Sequence, residues 1–448
     1  MKIGRRQLVA AAAATMVAGF VPQVMAQEKV IKFGMAQDFT KVYTFVTAEY
    51  SQGQRDYLTL VNERGGVSGW KIVAEVVDHG NETQRGIEAY ERFKREGVLL
   101  VDPLSTPVSR ALVPRALQDK VNLVTMFSGR SDAADGSVFP YVIPMSASYW
   151  SQASILIEYI SRVEKDLKGK KIAIVHIDTP FGREPLPLLQ ELAKRRGFEL
   201  LAFPYAPPGN EQSAVWTQLR RAQPNWTLIW GGGVGQTVSV KEAIRNGIPT
   251  DRIASVVWLS ESDMRVVGPE QAKGVLKFEG AAGGREPKII QDILREVIAK
   301  NKGAGAPEMV GTSYYNIGVL AAALMVEGAR RGLEISKGAA LTTETLNEGL
   351  RSIKNFTAEG LAPPTTLSKT DHQGGGMGRI AQWDGKRWVA KSDWIAADQD
   401  LVWQLIKASS AEFKSPVLER ARRHDTTLCH SAASARCAPR TQQCRGSL

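Results

Sequence analysis

Between Val98 and Gly136 the chain reads as one unit written twice. An apolar run, Val98–Val101, is followed by a hydroxyl-bearing turn, Leu104-Ser105-Thr106-Pro107. A helical stretch from Val108 to Gln118 leads to a second apolar run, Val121–Met126, and a second polar turn, Ser128-Gly129-Arg130-Ser131-Asp132. Strands joined through a helix pair in parallel, which places both turns at the carboxyl edge of one sheet. Open α/β sheets hold ligands at that edge, beside helix N-termini whose free N–H groups favour carboxylates. Ser105, Thr106 and Ser131 can cap these helices or face a ligand. For one hydroxyl the two roles weigh equally; two such turns side by side favour a ligand site.

The same grammar runs through most of the chain. Strands are expected at Val30–Ala36 and Lys71–Asp78, with helices at Ala48–Arg64 and Thr83–Glu96. After Tyr141–Pro144 a long helix, Tyr149–Leu167, opens a second run of alternating strand and helix from Lys171 to Leu259. Two successive sets of βα units predict an α/β protein with two doubly wound lobes, each built on a parallel sheet. Helices follow at Lys288–Lys302, Met309–Arg331 and Thr343–Lys354, then short Trp-containing strands at Arg379–Trp383 and Arg387–Ala390.

The two ends differ from this body. Residues 1–26 combine a basic start (Lys2, Arg5, Arg6), an apolar run from Leu8 to Val21 and a small-residue ending at Val24-Met25-Ala26. That is the pattern of a secretory signal peptide, with twin-arginine and general export both open. Residues 418–448 change composition abruptly, hold all three cysteines (Cys429, Cys437, Cys444) and read as a disordered basic tail. The formal charge is +11, of which residues 1–26 supply +3 and residues 418–448 supply +4. The remaining +4 is too mild to require nucleic acid or an anionic membrane as a partner. The cysteine spacing in the tail matches no zinc pattern, and the body holds no thiol.

A catalytic constellation is not legible. His79, His176 and His372 lie far apart in the body, and His176 within an apolar strand reads as a core histidine. There is no G-x-S-x-G elbow, Walker loop or H-E-x-x-H segment. Gly231-Gly232-Gly233-Val234-Gly235 lacks the dinucleotide spacing and is either a plain turn or a close approach to a ligand or to the other lobe. What remains is a ring of polar turns at strand ends: Ser105-Thr106, Ser128 to Asp132, Asp178 to Phe181, Gly231 to Gly233, and Glu261. Such a ring suits a small zwitterion or organic acid clamped between two lobes, with no cofactor and no metal.

The order of elements, with VIKFGMA, NERGGVSGWKIVAEVVDHGNETQRGIEAYERF, LSTPVS, KKIAIVHIDTPFGREPL and QWDGKRWVA, resembles the periplasmic substrate-binding proteins of branched-chain amino acid ABC transporters. The resemblance covers about Val30 to Ala390 and implies the type I periplasmic binding protein fold, two lobes joined by three hinge crossovers. It implies lobe 1 from 27–146 and 281–365, and lobe 2 from 147–280 and 366–417. The crossings would lie near Met145–Tyr149, Glu279–Gly284 and within Leu361–Gly378. Carried over, Ser105 or Thr106 holds a ligand carboxylate, and the Ser128-Gly129-Arg130-Ser131 turn binds the head group. Phe181 supplies an aromatic wall and Glu261 receives an ammonium.

Two positions depart from the family pattern. Arg130 stands where a small residue is expected, so it either meets the ligand carboxylate or pairs with Asp132 or Asp135. Gly233 replaces a second aromatic and leaves the pocket wider on that side. The function implied is solute capture in the periplasm and delivery to an ABC permease, by a monomer that is not an enzyme. Ligands in view are amino acids and small organic acids, aromatic ones included. A ligand sensor reporting to a signalling partner is the rival.

Overall fold

The computed structural model describes residues 29–414. The expected signal segment at 1–26 and the cysteine-containing tail at 418–448 lie outside the described residues. The first lobe alternates β1 (Val30–Gln37), α1 (Thr44–Glu63), β2 (Lys71–Asp78), α2 (Thr83–Arg95), β3 (Leu100–Asp102), α3 (Thr106–Asp119), β4 (Asn122–Val124) and β5 (Val142–Ile143). Its five strands lie in the order β2-β1-β3-β4-β5, every neighbouring pair parallel. The inner strands β3 and β4 are short and fully buried, as strands covered on both faces of a parallel sheet are, although each carries one polar residue, Asp102 and Asn122.

The chain then enters the second lobe through α4 (Tyr149–Glu164) and β6 (Lys171–Ile177). There follow α5 (Pro180–Arg183), α6 (Leu186–Arg196), β7 (Glu199–Tyr205), α7 (Ser213–Ala222) and β8 (Trp226–Trp230). Next come α8 (Gly233–Arg245), β9 (Ile253–Ser255), α9 (Glu261–Val267) and β10 (Leu276–Glu279). It returns to pack α10 (Lys288–Glu296), α11 (Ser313–Ile335) and α12 (Thr343–Leu350) on the first lobe, against α1 and one another. A third crossing brings β11 (Arg379–Trp383) and β12 (Trp388–Ala390) into the second sheet, and α13 follows over residues 399–414. That sheet runs β12-β11-β10-β9-β8-β6-β7 and is parallel except where β11 pairs with β10 and β12. The molecule is thus α/β with two doubly wound lobes, as the alternation predicts.

Helix starts are fixed by side chains. Ser105, Ser148, Thr179, Ser260, Thr312 and Thr342 each accept a backbone N–H as the N-cap of α3, α4, α5, α9, α11 and α12. The helix α11 is buried on nearly every side, so its apolar residues need no single stripe. It crosses α1 at two glycines: a Cβ on Gly53 would lie 2.2 Å from the Tyr315 carbonyl oxygen, and one on Gly318 would lie 2.1 Å from that of Tyr50. Only glycine permits backbones this close. Among the described residues no helix is long and apolar enough to cross a membrane.

Candidate functional site

Three first-lobe turns meet at the carboxyl edge of its sheet. After β1 the buried carboxylate of Asp38 accepts N–H groups from Lys41, Val42 and Tyr43 at 2.8, 2.7 and 2.7 Å. This gathers the chain so that Tyr43 and Phe45 face the cleft. After β3 the buried Asp102 accepts Tyr50 Oη at 2.8 Å, Gln54 Nε2 at 2.7 Å and the Leu104 N–H at 3.1 Å. Burial pushes the Asp102 carboxyl above its usual range while these donors pull the other way. Ser105 then caps α3 and donates to Asn81 Oδ1 at 2.7 Å. After β4 the Gly129 N–H donates to Thr106 Oγ1 at 3.1 Å, tying the second turn to the third. Ser128 Oγ is buried in this junction and has no hydrogen-bond partner.

The second lobe supplies the opposite wall. Tyr149 opens α4, and its hydroxyl accepts Trp258 Nε1 at 2.8 Å. Its ring lies 5.2 Å from Phe181 and 5.8 Å from Trp230. Between the lobes lies a small cavity lined by Tyr43, Phe45, Val46, Leu104, Ser105, Thr106, Ser128, Tyr149, Phe181 and Trp258. These residues comprise five aromatic rings, two aliphatic side chains and three hydroxyls from serine and threonine. No carboxylate or cationic side chain is among them. Burial holds the Tyr43 and Tyr149 hydroxyls far above their ordinary range, so both stay protonated.

Of the residues expected from the sequence, Ser105, Thr106, Ser128 and Phe181 line this cavity, whereas Gly129, Arg130, Ser131, Gly233 and Glu261 are not in its lining. Arg130 takes the second of its two expected orientations. Its guanidinium forks onto Asp132 at 2.7 and 2.5 Å and stacks 5.3 Å from the Phe139 ring and 4.6 Å from that of Phe413. The Ser131 N–H donates to Glu184 Oε1 of the second lobe at 2.7 Å, and Glu184 also pairs with Arg110. The Ser131 hydroxyl accepts the Trp150 N–H at 3.3 Å. Glu261 accepts the Ser313 N–H at 2.8 Å and its hydroxyl at 3.2 Å, beside a separate groove at the crossing between lobes.

Gly233 does not widen the cleft. Phe45 of the first lobe packs on Gly232 and Gly233, where added Cβ atoms would lie 2.4 and 2.7 Å from its ring. The aromatic absent from one lobe is replaced by one from the other. Tyr43, Phe45, Val46, Tyr149 and Trp258 also line the cavity and were not expected from the sequence. A signal for the first two existed, since the turn after the first strand shares the sheet edge with the turns after β3 and β4.

The sequence family described as periplasmic binding protein matches residues 30–387. This chain belongs to the periplasmic binding protein family. Among solved structures it is similar to one described as an ABC transporter permease from the Pseudomonas fluorescens group, at 35% identity and a TM-score of 0.80, covering 93% of this chain and all of the other. It shares its fold with a branched-chain amino acid ABC transporter protein from Thermus thermophilus with bound valine, at 20% identity and a TM-score of 0.73, over 84% of this chain and 99% of that one. Leu/Ile/Val-binding protein homolog 3 of Brucella melitensis is 20% identical over 56% of this chain and 68% of its own length. The functional argument rests on the chemistry of the ten residues that line the cavity.

Proposed function

We propose that this periplasmic binding protein is the solute-binding component of an ABC importer, capturing a small aromatic carboxylic acid between its lobes and delivering it to a membrane permease. One observation carries the choice of ligand: the cavity has hydroxyl donors for an anion and rings for an apolar body, but no carboxylate to meet an ammonium. Ser128 Oγ, buried and unpartnered, and the N-terminal end of α3 receive the carboxylate. Tyr43, Phe45, Tyr149, Phe181 and Trp258 enclose the ring. Glu261 lies outside the cavity lining and accepts the Ser313 N–H, which leaves the cavity without a carboxylate for an ammonium. Capture needs no catalytic group; the ligand touches both lobes and so favours their closed arrangement.

The test is a thermal-shift titration of protein unfolded and refolded to remove carried ligand, with benzoate and phenylacetate against leucine, valine and phenylalanine. A ligand at a hundredfold excess over its dissociation constant stabilises by about 2.7 kcal/mol, which a melting curve resolves. The aromatic acids are expected to raise the melting temperature and the amino acids to leave it unchanged. The reverse pattern overturns the ligand class.

A further inference from the structure

Helix α13 is anchored on both lobes. Its first half is rooted in the second lobe: Leu401, Val402 and Ile406 are buried in the core. Arg195 forks onto Asp400 at 3.1 and 2.8 Å. Just before the helix, Asp398 takes Arg196 at 2.7 Å. Its last turns lie on the first lobe. Ser409 Oγ donates to Asp132 at 2.7 Å and Ser410 Oγ to Asp135 at 2.8 Å. Lys407 pairs with Asp135 at 2.8 Å, and the Phe413 ring sits 4.7 Å from Phe139. Asp132 and Asp135 are both nearly fully buried, so these contacts are charge-assisted and poorly replaced by water.

The segment it grips directly follows Ser128, which lines the cavity. Asp132 also holds Arg130, and the adjacent Ser131 N–H meets Glu184 of the second lobe. The second lobe therefore holds this turn from two sides, through Glu184 and through α13. A helix of this length is a rod of about 24 Å that neither stretches nor bends under small forces. When the lobes move apart, one end of the rod must let go. The root is set in apolar core and paired arginines; the tip rests on two contacts of the Phe413 ring, with Phe139 and the Arg130 guanidinium, and three polar contacts, so the tip is the end that releases.

We propose that α13 is a clasp: Ser409, Ser410 and Phe413 hold the 130–139 segment of the first lobe in the closed arrangement and slow ligand escape. This rests on reading the cleft as a ligand clamp and adds a helix outside it that biases closure. The test compares the full chain with its Ser409→Ala/Ser410→Ala/Phe413→Ala variant. The measurements are the radius of gyration by small-angle X-ray scattering without ligand and the benzoate off-rate by stopped-flow tryptophan fluorescence. Removing contacts present only in the closed state is expected to enlarge the unliganded variant and to release benzoate about tenfold faster.

If the triple variant does not fold, Ser410→Ala alone is expected to shift both readouts in the same direction by less. An unliganded radius equal to that of the wild type overturns the clasp, whatever happens to the melting temperature. If wild-type protein does not bind benzoate, the aromatic-acid reading fails while the radius comparison still decides the clasp.

Discussion

Phe45 sets the width of the cleft on the side of the second lobe because Gly232 and Gly233 carry nothing to stop it. Gly233 also has φ of +59°, in the left-handed region. Gly233→Ala therefore adds both backbone strain and a Cβ against the ring, and is expected to weaken benzoate binding about tenfold by isothermal titration. Phe45→Ala should act oppositely on selectivity, favouring bulkier acids such as naphthoate over benzoate. Arg130 is held by Asp132, Phe139 and Phe413 and stands outside the cavity lining. Arg130→Ala is expected to cost about 1–3 kcal/mol in urea unfolding through the lost fork and stacking, without changing which ligands bind. Sequence alone left this arginine open between a ligand carboxylate and Asp132 or Asp135; in the Asp132-paired orientation, Phe413, 283 positions downstream, stacks on its guanidinium.

Among the elements, the strongly periodic helices and several strands were legible, and Lys71–Asp78 and Arg379–Trp383 match residue for residue. Among the elements missed, three show a physical reason. The strand β10 alternates Lys277 and Glu279 with apolar residues and looks half-exposed, yet Lys277 is buried. Its ammonium donates to the Leu259 carbonyl at 2.9 Å and to Ser313 Oγ at 2.6 Å, and lies 4.4 Å from the Trp388 ring centre. The short α9 is held by a capping box between Ser260 and Asp263, which reads in sequence as a polar loop. α13 carries a helical period in Leu401, Val402, Leu405 and Ile406, but its partners on the first lobe are remote in sequence. The α1–α11 crossing yields a further prediction: Gly318→Ala should destabilise by about 1–3 kcal/mol in urea unfolding, because the backbones must separate to admit a methyl group.

On the scale of the whole molecule, the crossing before β11 is stapled to the one before α4 by His372. Its Nδ1 bonds to the Val142 carbonyl at 2.9 Å, its N–H donates to the Ala134 carbonyl at 2.9 Å, and its own carbonyl accepts the Met145 N–H at 2.8 Å. Burial pushes the imidazole down to about 4. The unfolded chain, with an ordinary value of about 6.5, then binds more protons than the folded one between the two values. Stability is full above about 6.5 and is lost as pH falls toward about 4, by up to about 3 kcal/mol from this group. Asp263, pushed up to about 6 by burial, works in the opposite sense, since its folded form takes up the proton first as pH falls. His372→Gln is expected to flatten the acid limb of the stability–pH curve relative to wild type, measured by urea unfolding from pH 7 to 4.5. An unchanged limb would show that the crossing is indifferent to this imidazole.

The sequence by itself determined the layers. Period-2 and period-3.6 patterning, helix caps and the alternation of strand with helix depend on neighbours a few residues away, and they specify parallel sheets with polar turns at one edge. The hydroxyls Ser105, Thr106 and Ser128 follow from that edge rule. Which rings close over them was decided only by the tertiary structure, because Phe45, Tyr149, Phe181 and Trp258 come from separate turns on two lobes. The partners of Glu184 and Glu261 were decided there too, since Arg110, the Ser131 N–H and Ser313 are remote from them in sequence.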